Sequence, residues 1–347
     1  MTKKVTLADI ARTSKVSLST VSLVLRDKPG IPAETRQRIF ETAQALGYKP
    51  RNRLGGRGLR AGTSPRSLGV IIKIDHNVPP PANPFYLHVM AGIEEVCRKQ
   101  SFNLLYATLP VDENNVPVEV PRLLTEQHAD GLLLVGTYVD AAFGTLFTAR
   151  PEPVVLVDAY SSRDTFDAVL SDNVGGAAQA VNRLISAGHH RIGMVGGHPG
   201  AYPSLNERRQ AWTQTLAQHG LPTDAVADSG LTHEAAAEAT QRLLGEHPDL
   251  TAIFGVNDAV AIAAMRAAQA IGRRVPEDLS VIGFDDIEMA EHVSPGLTTL
   301  RVDKVGMGRM AVQLIQNRIE FPDSERVVAV LTPRLIERGS VTAPCPA

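Results

Sequence analysis

The sequence predicts a small all-α helix-turn-helix headpiece followed by an α/β core of two Rossmann-like lobes. Three observations predict it. Residues 6–46 place apolar side chains at helical spacing in three short runs. From Leu68 onward, short apolar runs of strand length alternate with helical ones, and that alternation is traversed twice. The length of 347 residues accommodates two to three domains, and an apolar fraction of 44% with 28 glycines supports large cores with many turns.

Charge divides the chain unevenly. Residues 1–67 hold 14 Lys and Arg against four acids, a balance of +10, which leaves 21 basic and 33 acidic residues, or −12, for the rest. A basic head on an acidic body points to a polyanionic partner for the head alone. Cys97 and Cys345 make neither a metal spacing nor a disulfide framework. The first ten residues carry charges without an apolar signal region, and no 18-residue apolar run occurs. The expectation is a cytoplasmic protein that engages no membrane and requires no cofactor.

In the head, Thr6-Leu-Ala-Asp9 is a capping-box pattern in which Thr6 is expected to accept from the Asp9 amide. Leu7, Ile10 and Ala11 fall on one face of the helix that follows. After a turn at Ser14–Val16, Ser17 is placed to cap a second helix with Val21, Val24 and Leu25 inward. A rotation of about 100° per residue sends Ser19, Ser22, Leu23 and Arg26 outward. A third helix follows Pro32, carries Ile39, Phe40, Ala43 and Leu46 inward, and ends at Gly47. Two short helices joined tightly and buttressed by a third form the geometry that lays one helix in a DNA major groove. A plain three-helix bundle is the alternative.

The strings Val5-Thr-Leu-Ala-Asp-Ile-Ala11, Val16-Ser-Leu-Ser-Thr-Val-Ser22, Thr35-Arg36 and Leu46-Gly-Tyr-Lys-Pro50 strongly resemble the headpiece of the LacI/GalR repressor family. The resemblance places Leu18, Ser19 and Leu23 at base-reading positions, and Thr6, Ser17, Thr20 and Ser22 at phosphate-contacting or capping ones. Two departures stand out. Position 23, commonly long and polar in the family, is leucine, which packs on thymine methyls but cannot hydrogen-bond a base edge. Pro32 replaces the serine that usually caps the third helix.

Residues 51–67 form a basic linker that includes Arg51 and Arg53. In the family this stretch becomes a hinge helix on DNA, with leucines wedged into the minor groove, and Leu59 stands at the wedge position. The segment is about two residues longer than the family norm and carries four glycines, which weaken a helix. A flexible tether is therefore the competing expectation.

In the core, strands are expected at 68–74, 103–108, 131–135, 154–157, 191–195, 251–255 and 279–283. Helices are expected near 85–99, 174–187, 204–219, 233–245, 257–271 and 303–320. Such alternation implies parallel sheets with right-handed crossovers. The expected boundaries are 1–50 for the headpiece, 51–67 for the linker, 68–340 for the core and 341–347 for a tail. Within the core, the first lobe is expected at about 68–160 and 300–330, and the second at about 161–299.

Ligands of open α/β sheets bind beyond the carboxyl ends of strands. Phe85, Tyr86, Asp158, Arg208, Asn257 and Asp285 all fall there. Aromatic faces, an arginine and several acceptor oxygens suit a polyhydroxylated or nitrogen-rich small molecule. For Asn257 and Asp258, capping the next helix is an equal alternative. The core also resembles the family's periplasmic-binding-protein-like domain (type I) through Asn83-Pro-Phe-Tyr86, Ser171-Asp-Asn173, Gly188-His-His-Arg-Ile-Gly193, Val256-Asn-Asp258 and Val281-Ile-Gly-Phe-Asp-Asp286. That resemblance implies effector contacts at Phe85, Tyr86, Arg208, Asn257 and Asp285. Leu231 stands where relatives often place an aromatic ring against the effector.

The implied function is a repressor whose affinity for a pseudo-palindromic double-stranded operator responds to a sugar-like effector. The implied assembly is a homodimer, since one recognition helix reads too few bases. The chain has no Gly-x-Ser-x-Gly elbow, Walker loop or zinc spacing, so an enzyme is not expected. His189-His190 is expected to cap the next strand or face solvent. A secreted solute-binding protein would fit the core but not the DNA-reading head.

Overall fold

The computed structural model describes residues 6–25, 31–46, 48, 66–75, 83–112, 116–148, 150–162, 165–198 and 201–345. The chain divides into two compact units, Met1–Pro65 and Arg66–Ala347. Among the described residues, no helix is long and apolar enough to cross a membrane.

The first unit holds α1 (Leu7–Ser14), α2 (Leu18–Leu25) and α3 (Ala33–Ala45). Its core is Ile10, Ala11, Val21, Val24, Ile39 and Ala43, flanked by Leu7, Val16, Leu25, Phe40 and Leu46. The periodicity is therefore realised as helix faces. At the start of α1, Asp9 Oδ2 accepts from the Thr6 amide (2.9 Å) and from the Thr6 hydroxyl (2.7 Å), while the Asp9 amide donates to the Thr6 carbonyl oxygen (3.1 Å). The expected capping box is thus formed, the Thr6 side chain accepting from the Asp9 backbone and the Asp9 side chain from the Thr6 amide, while the Thr6 hydroxyl also gives its proton to Asp9. Lys15 turns the chain between α1 and α2 in a left-handed conformation, φ 53°.

The second unit contains two sheets. Its elements in chain order are β1 (Ser67–Asp75), α4 (Pro84–Lys99), β2 (Asn103–Val111), α5 (Arg122–Thr125), β3 (Gly131–Val135), β4 (Tyr138–Val139) and α6 (Ala141–Thr148). Then come β5 (Val154–Val157), β6 (Tyr160–Ser161), β7 (Asp167–Ser171), α7 (Asn173–Ser186), β8 (Ile192–Val195), α8 (Pro203–Gln218), β9 (Val226–Ala227) and α9 (His233–Glu246). The chain closes with β10 (Ala252–Gly255), α10 (Asp258–Ala270), β11 (Ser280–Asp285), α11 (Met289–His292), β12 (Thr298–Arg301), α12 (Lys304–Glu320), β13 (Val328–Leu331) and β14 (Arg334–Ile336).

The first lobe's sheet has the order β13-β7-β5-β3-β1-β2 and is parallel throughout. The second has the order β14-β12-β11-β10-β8-β9, parallel except for β14. Central strands such as β3 and β10 are buried along their whole length, as two-sided helix cover requires. The chain passes between lobes three times: after β7, after β12 and after β13.

These crossings move the expected lobe boundaries. β7, expected in the second lobe, pairs with β5 in the first sheet. β12 ends at Arg301 in the second sheet, and α12 then returns to pack on α4, β3, β5 and β7. β14 rejoins the second lobe, and the segment expected as a free tail is tied there. The Thr342 amide donates to Ser280 Oγ (3.0 Å), and His189 Nε2 lies 2.9 Å from the Thr342 carbonyl. His189 is therefore buried between Thr251 and Thr342 rather than capping or facing solvent.

The first lobe owes its shape to small residues as much as to apolar ones. A Cβ on Gly92 of α4 would fall 2.1 Å from the Val305 carbonyl oxygen, and one on Gly308 of α12 would fall 2.1 Å from that of Val89. The two helices touch backbone to backbone, which brings the start of α12, with Lys304, to the interlobe crossing.

Candidate functional site

In the first unit, α2 presents two faces. Val21 and Val24 are fully buried, whereas Leu18 is 54% and Leu23 41% exposed. Ser19 is exposed beside them, and Ser22 and Thr20 are half-buried. Ser17 caps the helix through its Oγ, which accepts the Thr20 amide (3.0 Å) and meets the hydroxyls of Ser19 (2.8 Å) and Thr20 (2.7 Å). The outward direction of Leu23 follows from helix phase. Exposed leucines on a helix flanked by short hydroxyl side chains form a surface suited to thymine methyls and phosphates. Arg51, Arg53 and Leu59 lie outside the described residues.

In the second unit, the residues expected at strand ends converge between the lobes. Asp158 follows β5 at φ 47° and Asp285 ends β11 at φ 110°, backbone conformations that favour glycine and cluster at functional sites. The Tyr86 hydroxyl donates to Asp158 Oδ2 (3.2 Å), and Phe85 packs edge-on against Tyr86 with ring centroids 5.4 Å apart. Asp158 is 8% exposed, and its Oδ1 is buried without a hydrogen-bond partner. Burial pushes its carboxyl up to about 7, with the neighbouring Asp285 adding to the rise and Arg208 opposing it.

Arg208, 5% exposed, is fully committed. Nε donates to Asn173 Oδ1 (2.9 Å), one terminal nitrogen to the Val256 carbonyl (2.9 Å), and the other forms an ion pair with Asp285 Oδ1 at 3.2 Å. Its guanidinium carbon stacks 3.7 Å from the Phe284 ring centroid. Asp285's carboxyl is raised by burial despite Arg208 and Lys304. The Lys304 ammonium, itself lowered by burial, donates to the carbonyls of Asp285 (2.5 Å) and Asp286 (2.9 Å), joining α12 to the end of β11.

Asn257 and Asp258 divide their tasks. Asn257 Oδ1 accepts the Val260 amide (2.9 Å) as the cap of α10, while the half-buried side chain still borders the strand end. Asp258 is fully buried and accepts from the Thr299 hydroxyl and the Ile287 amide (2.8 Å). Its oxygens tie the loop after β11 to β12, so Asp258 is structural.

Four further residues reach across the lobes. The Tyr202 hydroxyl lies 3.0 Å from both the Thr137 and Asp158 carbonyl oxygens. The Tyr160 hydroxyl donates to Glu207 Oε2 (2.8 Å), and Asn173 Nδ2 reaches the same oxygen (2.9 Å). The sequence reading did not single these residues out as ligand contacts, although the rule that found Asp158 also applies to Tyr160, two residues on, and to Tyr202, after β8. Leu231 is 45% exposed and supplies no ring to the cleft.

Comparison with known proteins agrees with both units. The model of bacterial regulatory proteins, lacI family, matches residues 6–51, and that of the periplasmic binding protein-like domain matches residues 181–341. The chain is 31% identical over 339 residues to the ribose operon repressor of Haemophilus influenzae, covering 97% of this chain and 98% of that one. It is 30% identical over 341 residues to the HTH-type transcriptional repressor PurR of Aliivibrio fischeri, with the same coverage. Among solved structures, the complex of the transcriptional regulator CelR with cellobiose superposes with a TM-score of 0.70 at 29% identity, over 97% of this chain and 100% of that one. The two sequence relatives are named as repressors and the structural one as a transcriptional regulator. With the head and the core matched along nearly its full length, the chain belongs to the lacI family of bacterial regulatory proteins.

Proposed function

We propose that this regulator represses transcription as a homodimer on a pseudo-palindromic operator in the cytoplasm, and that a sugar-like small molecule in the interlobe cleft changes its affinity for DNA. The observation that carries the reading is the two-faced α2: Val21 and Val24 hold it to its bundle while Leu18 and Leu23 stand exposed. Leu18, Ser19 and Leu23 meet base edges, and Thr6, Ser17, Thr20 and Ser22 set the register on the backbone. Arg51, Arg53 and Leu59 of the linker engage the groove between half-sites.

In the cleft, Phe85, Tyr86 and Asp158 of the first lobe and Arg208, Asn257 and Asp285 of the second take the effector between them. A ligand bound to both lobes favours one lobe arrangement over another. Its differential affinity is the coupling free energy, typically about 1–3 kcal/mol. Apolar side chains exposed on β2 and in the loop after it, among them Tyr106 and Val118, support a second copy as a partner.

The test uses fluorescence anisotropy on duplexes selected from a random pool by the full-length protein. The expected result is a palindromic consensus bound at least about 10³-fold more tightly than random duplex at moderate salt, and a shift of that affinity by a sugar or related metabolite. Binding indifferent to sequence would refute the DNA reading, and a selected site without dyad symmetry would refute the dimer.

A further inference from the structure

The second helix of the head is notable for the side chains it lacks, on the premise that α2 is the helix that enters the major groove. From Leu18 to Leu25 it carries three leucines, two valines, two serines and a threonine, with no arginine, lysine, asparagine, glutamine or acid among them. The absent types are those that read a base pair by a fixed pattern of donors and acceptors. Val21 and Val24 are fully buried in the bundle, which leaves Leu18 and Leu23, 54% and 41% exposed, as the large side chains of the outward face.

Ser19, exposed beside them, both donates and accepts, so it suits either base-edge polarity. Its hydroxyl and that of Thr20 already meet Ser17 Oγ, at 2.8 and 2.7 Å. The main contact left to α2 is apolar, and the major groove offers one apolar group, the 5-methyl of a pyrimidine. Thymine carries that methyl, and 5-methylcytosine carries it at the same ring position. Their edges differ, an O4 acceptor in one and an N4 donor in the other, but a leucine neither donates nor accepts and cannot sense the difference. Five residues of helix span about 7.5 Å against about 3.4 Å per base pair, so the two leucines reach different base pairs. The 14 basic residues against four acids in residues 1–67 attract the phosphates of any duplex and carry no base preference of their own.

We propose that Leu18 and Leu23 read pyrimidine 5-methyl groups rather than base-edge hydrogen bonds, so that the regulator accepts 5-methylcytosine where its operator carries thymine and disfavours unmethylated cytosine there. Cytosine methylation at those positions therefore raises affinity. Removing a methyl from under a leucine forfeits its burial and contacts, which weakens binding about threefold to fivefold for each methyl lost.

The experiment uses the full-length protein and its selected consensus duplex, with fluorescence anisotropy as the readout. Each thymine of the half-site, on either strand, is replaced in both half-sites by deoxyuridine, which keeps the base edge and removes the methyl. The same positions are then changed to cytosine and to 5-methylcytosine, each opposite guanine. The expected result is two positions, one under each leucine, at which deoxyuridine weakens binding about tenfold or more over the two half-sites together. At those positions cytosine is at least as poor as deoxyuridine, and 5-methylcytosine binds within about threefold of thymine. Deoxyuridine tolerated at every thymine, a half-site without thymine, or 5-methylcytosine no better than cytosine would each overturn the proposal while leaving the DNA reading standing.

Leu23→Ala is expected to erase the difference between thymine and deoxyuridine at one of the two positions, and Leu18→Ala at the other. Each leaves the other position's difference intact, which is the mark of direct contact in a double-mutant cycle. Circular dichroism verifies that each variant folds, and the duplex comparisons need no variant. A difference that persists in both variants would assign the methyl contact elsewhere and overturn the proposal. If no duplex is selected over random competitor, the DNA reading itself fails, and the methyl reading falls with it.

Discussion

At the scale of single residues, Asp158 and Leu23 show local chemistry set by opposite surroundings. Asp158 sits where burial raises its carboxyl to about 7 from an ordinary 3.8. A raised folded-state value means the fold favours the protonated acid. Its contribution to stability is fully present below about 3.8 and is lost as pH rises through about 7. Asp158→Asn is therefore expected to raise Tm at pH 8 by roughly 2–4 °C per kcal/mol recovered, with a smaller gain at pH 5. Differential scanning calorimetry at both pH values tests this, and an equal or reversed effect would contradict the burial argument. Leu23, by contrast, is an apolar side chain held in solvent. Leu23→Ala is expected to weaken the selected operator about threefold to tenfold without altering the slope of log affinity against log salt, because no phosphate contact is lost. Anisotropy titrations at several salt concentrations check both halves of that statement. Both positions were legible in the sequence, Leu23 from helix phase and Asp158 from its place after a strand. The Tyr160 and Tyr202 contacts were not, because a hydroxyl partner more than 40 residues away leaves no local signature.

At the scale of elements, most of the helices and central strands follow from periodicity, with ends shifted by a residue or two. The short strands did not. β7, β13 and β14 depend on neighbours far along the chain: Arg318 of α12 donates to both oxygens of Asp167 (2.8 Å each), and Asp167 Oδ1 in turn accepts the Val327 amide (2.8 Å). β7 and β14 also begin on charged side chains, Asp167 and Arg334, unlike the wholly apolar runs that announced β3 and β5. The α4–α12 contact is likewise invisible in either helix alone. Gly308→Ala is expected to destabilise the core by about 1–3 kcal/mol, since the added methyl meets Val89 backbone rather than a movable side chain. Urea unfolding monitored through Trp212, buried on α8, measures it. Against the C-terminal segment, whose Thr342 carbonyl it meets, burial lowers His189 from its ordinary 6.5. Its stabilising share is present above that value and is lost as pH falls below it, when the unfolded chain takes up the proton first. His189→Gln is expected to flatten the acid side of the stability profile below about pH 6.5, read as Tm against pH.

At the scale of the whole molecule, the division at Pro65 separates two units with their own cores. A fragment comprising residues 66–347 is expected to unfold cooperatively and to retain the thermal shift given by an effector, while losing operator binding altogether. Calorimetry and anisotropy on the fragment decide this, and a fragment that failed to fold would show that the head contributes to the core. Within the core, the chain passes between the lobes three times, and Asn173 and Lys304 follow the first two passages directly. Residue order alone decided that a basic helical head precedes an acidic α/β body, which side of α2 faces outward, and which strand ends carry acids, because helix phase, strand alternation and charge are properties of neighbours along the chain. Tertiary structure alone decided where the lobes begin and end, that Arg208 is already committed, that Asp258 is structural and that Tyr202 occupies the cleft. Those outcomes depend on which distant groups meet once water is excluded, and the cost of leaving a buried polar atom unpaired is set by its neighbours in space.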